Sequence, residues 1–118
     1  MMFDFQNLEV YKKAKIFHSN SKTLLASQKF DKVVNDQFSR ASFSIILNIA
    51  EGSGRFSKAD RRNFFVIARS SIFECVAILD VLKDEKRIEE SVFQDFLIQA
   101  DELSRILYAM VKNLEQKQ

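Results

Sequence analysis

Apolar residues recur along the chain at the three-and-four spacing of helices, in four blocks divided by short polar breaks. In the first block Val10, Ala14, Phe17, Ser21 and Leu24 form one seam, with Leu8, Tyr11 and Leu25 beside it. Asn7 stands where a helix cap belongs, so the pattern predicts a helix over 7–27. Lys12, Lys13, Lys15 and Lys22 fall on the opposite side with His18 among them, and the expectation there is a solvated face. Residues 28–34 read as a connection whose Phe30, Val33 and Val34 fold back onto the helices, and Asn35 is the expected cap of a second helix over 35–52. Ser57 caps a third, over 58–85, with Asp60 at the position of the reciprocal capping-box acid. Its core face is Phe64, Phe65, Ala68, Ile72, Cys75, Val76, Leu79 and Leu82. A charged run over 83–90 then separates it, without glycine or proline, from a fourth helix over 89–115. That helix carries Phe93, Phe96, Leu97, Ala100, Leu103, Leu107, Met110 and Leu114 on one seam, and residues 115–118 are expected to fray.

Long amphipathic helices joined by short connections must run antiparallel to their neighbours. The expected architecture is therefore all-α, an antiparallel up-down-up-down four-helix bundle forming a single domain over 1–118. The second helix departs from ordinary amphipathicity. Arg40, Ser44, Asn48 and Glu51 occupy one narrow strip, while Phe38, Ala41, Phe43, Ile45, Ile46, Leu47, Ile49 and Ala50 cover almost everything else. So much apolar circumference implies cover from more than one side, and a neighbouring subunit is the expected source of the remainder. Phe73 lies opposite the seam of the third helix and, with Phe43, is the candidate subunit interface.

Composition supports helices running nearly end to end, because 118 residues contain no proline and two glycines, both within 52–54. Hydrophobic residues make up 47% and charged residues 29%, a globular balance. The net charge of +2 is mild, so an argument for nucleic acid rests on where charges sit. A single cysteine, Cys75, excludes an internal disulfide, and its apolar setting reads as a buried structural thiol. The N-terminal residues lack the pattern of a signal peptide, and no window approaches the roughly 20 apolar residues of a membrane span. A cytoplasmic protein without a membrane partner is expected.

Candidate chemistry concentrates at the turn between the second and third helices. Arg55, Lys58, Arg61 and Arg62 place four cations within eight positions of a helix start, the setting in which a phosphate of RNA would bind. The competing reading is structural: Gly52 closes the second helix as a left-handed cap, Gly54 loosens the turn, and Arg55 pairs with Glu51 or with a neighbouring subunit. Phe56 beside Arg55 would stack bases if exposed. Asn48 and Glu51 are expected to lock the second helix to the following loop or to set the register of a subunit contact. Glu51 and Asp60 make a poor acid and base pair, since neither a nucleophile nor metal-ligand spacing accompanies them. No catalysis, metal or cofactor is expected.

The segment NIAEGSGR over 48–55, followed by Ser57 and Asp60 and preceded by SRASFSI over 39–45, resembles the signature of bacterial four-helix proteins encoded by intervening sequences inside 23S rRNA genes, also labelled S23 ribosomal proteins. NLEVYKKA over 7–14, FFVIARSSIFE over 64–74 and LSRILYAMVKNL over 103–114 resemble that family's other helices. The resemblance implies a bundle that assembles into a ring, commonly a pentamer. It is also similar to the accessory protein of diversity-generating retroelements, which works with a reverse transcriptase and nucleic acid. The function expected on this basis is a non-enzymatic homo-oligomer accessory to RNA, a ribonucleoprotein or a nucleic-acid enzyme. The alternative is a structural or protein-binding scaffold with no nucleic-acid affinity.

Overall fold

The structure is a computed structural model that describes residues 2–115. After a 3-10 turn over Asp4–Asn7 the chain forms α1 (Glu9–Ser27), α2 (Lys32–Ser53), α3 (Lys58–Asp84) and α4 (Glu90–Glu115). Each helix packs against two neighbours in the cyclic order α1, α2, α3, α4, so the cross-section is a square. The bundle measures 49 × 26 × 21 Å. The expected four-helix bundle is thus the observed one; among the described residues no helix is long and apolar enough to cross a membrane.

The seams are those that the helical period implies. Val10, Ala14 and Phe17 from α1, Phe38, Ile45 and Ile49 from α2, Phe65, Ile72 and Leu79 from α3, and Phe96, Leu103 and Leu107 from α4 share one buried core. Phe17 and Phe38 both meet the Phe96 ring edge-on, at 5.7 and 6.2 Å between centroids, the arrangement ring quadrupoles favour. In α1 the buried leucine is Leu25, whereas Leu24 is only partly covered.

Helix starts differ from expectation where tertiary packing supersedes local signals. Asn7 does not cap α1: it ends the 3-10 turn, and Leu8 occupies the cap position in extended conformation. The turn docks its Phe5 against Tyr11, edge-on at 4.9 Å. Asn35 likewise lies inside the first turn of α2, which begins at Lys32 after Asp31. Its side-chain amide donates back to the Phe30 carbonyl at 3.2 Å, holding the connection from within. Phe30 is buried as expected and Val34 half-buried, but Val33 points into solvent. Residues 116–118 of the expected frayed tail lie outside the described residues, and Glu115 is the last residue of α4.

The turn between α3 and α4 explains how a helix stops without glycine. Lys86 adopts a left-handed φ of 60°. The Arg87 N–H bonds the Leu82 carbonyl at 2.8 Å and the Lys86 N–H bonds the Lys83 carbonyl at 3.0 Å, the two bonds of a Schellman motif. Arg87 then donates to the Lys29 carbonyl at 2.6 Å, and Gln28 donates to the Arg87 carbonyl at 2.6 Å. The two loops at this end of the bundle are thereby tied together.

Candidate nucleic-acid interface

The corner between α2 and α3 overturns one expectation. Neither Gly52 nor Gly54 is left-handed. Gly52 is buried within α2, and a Cβ placed there would lie 2.7 Å from Phe65 Cε1 and 3.0 Å from Phe64 Cβ. It is glycine because α3 begins directly against the backbone of α2. Gly54 closes α2 with φ −91°, its N–H bonding the Glu51 carbonyl at 3.1 Å. Ser57 caps α3 as expected, its Oγ accepting from the Asp60 N–H at 3.1 Å. The reciprocal bond, from the Ser57 N–H to the Asp60 carboxylate, is not among the hydrogen bonds of the described residues.

The four cations separate into two kinds. Arg55 pairs with Glu51 at 3.2 Å and lies over the Phe64 ring at 4.5 Å, so one end of it is committed to the corner. Arg62 donates to Glu115 of α4 at 2.5 Å. That bond, with a second from Lys112, holds the Glu115 carboxyl below its ordinary range. Lys58 and Arg61 have no ion-pair partner among the described residues. Phe56 is fully exposed between them and Arg55. Arg61 also lines a cleft of about 510 Å³ that reaches Met2, Phe3 and Phe5 of the N-terminal turn. Those residues were not candidates in the sequence; the apolar Met2, Phe3 and Phe5 ahead of α1 were the available signal. Among the described residues, the surface at this end of the bundle presents two cations without an ion-pair partner, Lys58 and Arg61, one shared cation, Arg55, and three exposed apolar side chains, Met2, Phe3 and Phe56.

The polar strip of α2 faces α3 and does not simply meet solvent. Asn48 donates to the Ser44 carbonyl at 2.8 Å and to its Oγ at 2.9 Å, Ser44 Oγ contacts Ser71 Oγ at 3.0 Å, and Arg40 pairs with Glu74 at 2.7 Å. Asn48 therefore ties α2 to α3 through Ser44, while Glu51 ties α2 to the loop through Arg55. Most of the apolar circumference of α2 is covered by the chain itself. Phe38, Ala41, Ile45, Ile46 and Ile49 are buried, leaving Phe43 at 48% exposure and Leu47 at 45%.

The backbone superposes on a crystal structure of a protein of unknown function from the S23 ribosomal protein family of Bacteroides thetaiotaomicron VPI-5482, with a TM-score of 0.82. Sequence identity is 24%, over 87% of this chain and 98% of that one, a likeness of fold. Residues 6–109 match the 23S rRNA-intervening sequence protein family. The chain belongs to this family. No curated protein matches it.

The groups that chemistry would recruit in this member of the 23S rRNA-intervening sequence family are occupied in structural work. His18 is not on a wet face: it is half-buried between α1 and α2, its Nδ1 2.6 Å from Ser42 Oγ and its ring 5.4 Å from that of Phe43. Burial, and after it the charge of Lys22, lowers its pKa. Burial also pushes the Cys75 thiol up to about 12, leaving it protonated and a poor nucleophile. Phe43 and Phe73 are both half-exposed. Phe43 sits beside α1, and Phe73, 56% exposed, lies under Arg69 at 4.9 Å on the side of α4.

Proposed function

We propose that this protein is a non-enzymatic, self-associating bundle that serves as an accessory to RNA or a ribonucleoprotein, contacting phosphates through the end of the bundle where α3 begins. The observation that carries this reading is the pair of cations Lys58 and Arg61, without an ion-pair partner among the described residues, in the first turn of α3 beside the fully exposed Phe56. Free N–H groups and the dipole of a helix N-terminus favour an anion there, and an exposed ring gives a base a stacking platform. The family's 23S rRNA gene context agrees with an RNA partner. Arg62 contributes less than its position in the sequence implies, because Glu115 already holds it.

Binding of a labelled single-stranded RNA across a salt series tests this. Affinity falls steeply with salt, and the double variant Lys58→Gln, Arg61→Gln flattens the log–log slope by about 1.4, two phosphate contacts at roughly 0.7 each. Phe56→Ala weakens binding by about 1–3 kcal/mol with the slope unchanged. Absence of binding at low salt refutes the RNA reading. The second reading, a protein-binding scaffold in the cytoplasm, rests on the exposed Phe43, Leu47 and Phe73 and needs no nucleic acid.

A further inference from the structure

We infer that the cleft between the N-terminal turn and the end of α2 takes one unpaired guanine base of the bound RNA, with Arg61 on the adjoining phosphate. This rests on the RNA reading and specifies what that end of the bundle recognises.

The cleft has two walls. The 3-10 turn contributes Met2, Phe3 and Phe5 on one side and the last turn of α2 contributes Ala50 and Gly54 on the other, around a volume of about 510 Å³. That volume falls among those of small-ligand sites, roughly 300–1,000 Å³. Phe3 meets Phe5 edge-on at 6.2 Å and is still 60% exposed, so much of its ring is open to a further partner. Bases stack on rings so presented. Arg61 is half-buried against the cleft, and its guanidinium has neither an ion pair nor a hydrogen bond among the described residues. Such a fork suits a phosphate. Lys58 and Phe56 continue the same end of the bundle, so a strand held there delivers a base directly to the cleft.

The recess admits a base only after it has left its stack, as in a bulge, a loop or a strand end; the bases of an A-form helix stay inside it. The polar rim then selects among bases. Ser53 Oγ gives its hydrogen to the Ile49 carbonyl at 2.9 Å and so offers only lone pairs to the cleft, and Asp4 is the one acidic residue of the lining. Guanine carries N1–H and N2–H side by side, two parallel donors for the two oxygens of a carboxylate, whereas adenine, cytosine and uracil each set an acceptor beside their donor. A carboxylate has about four accepting sites, enough for two bonds to a base beside any other contact that Asp4 makes.

The test measures fluorescence anisotropy of the full chain at low salt with four labelled RNA duplexes, one fully paired and three that add a single bulged G, A or U. The G bulge is expected to bind about tenfold more tightly than the paired duplex, within the range that one stacked base supplies. It is expected to exceed the A and U bulges by at least about fivefold, the lower end of what a bidentate base contact discriminates. Ala50→Leu fills the cleft from its α2 wall and abolishes the advantage of a bulge, and Phe3→Ala, at an exposed position, reduces it; circular dichroism verifies folding of both. Asp4→Asn abolishes the preference for G among the bulges. Equal binding of all four duplexes refutes the cleft and leaves the RNA reading standing. A preference for bulges that is blind to the base, or that survives both Ala50→Leu and Phe3→Ala, refutes the guanine site in the same way. Absence of binding to every duplex and to single-stranded RNA refutes the RNA reading, and the guanine site with it.

Discussion

Replacing Gly52 by alanine isolates the closest approach in the bundle. The added Cβ would meet Phe65 Cε1 at 2.7 Å, Phe65 Cδ1 at 3.0 Å and Phe64 Cβ at 3.0 Å. Phe65 is 1% exposed, so its ring has no free space to enter, and Phe64 Cβ moves only with the backbone of α3. Overpacking of this kind costs about 2–3 kcal/mol. Gly52 lies inside a helix with ordinary φ, so alanine regains about 1 kcal/mol of helix propensity. The net expectation is a loss of about 1–2 kcal/mol, a fall of about 6 °C in Tm for a domain of this size. Gly54 is the internal control. A Cβ there meets nothing closer than 3.7 Å and its φ of −91° suits any residue, so Gly54→Ala is neutral or gains up to about 1 kcal/mol. Urea unfolding followed by circular dichroism separates the two variants by about 2 kcal/mol, and Phe65→Leu in the Gly52→Ala background recovers part of the loss. A Gly52→Ala protein as stable as the parent, or a Gly52→Asn protein more stable than Gly52→Ala, would restore the left-handed cap and refute the packing account.

Lys86→Gly is expected to stabilise the protein by about 0.5–1 kcal/mol, because it relieves a left-handed lysine at an exposed position; a lower urea midpoint contradicts this. His18 makes stability depend on pH. Its folded pKa lies below the ordinary 6.5, so its contribution is complete above about pH 6.5 and is lost as the pH falls through the folded value. The urea midpoint of the parent therefore drops between about pH 7.5 and 5 by more than that of His18→Gln, and equal drops would remove His18 as the cause.

How much was legible in the residues follows from how far each determinant reaches along the chain. The four helices, their buried seams, the Ser57 cap and the return of Phe30 depend on neighbours within about one or two turns, and the sequence displays those neighbours directly. The stop at Lys86 was hidden because its two hydrogen bonds recruit backbone groups, which every sequence possesses. Gly52 was misread for a related reason: a glycine announces that a side chain is unwelcome, and only the tertiary structure shows that Phe64 and Phe65 are what exclude it. Tertiary packing alone decided that Arg62 spends its charge on Glu115, 53 residues away, while Arg61 beside it does not. The same is true of the polar strip of α2: its residues announce a locking role, and only packing shows that Ser71 and Glu74 of α3 are what meet Ser44 and Arg40. Periodicity fixes which side of a helix is apolar; the partner that each remaining side chain meets is set by contacts between distant segments, and those exist only once the helices have packed.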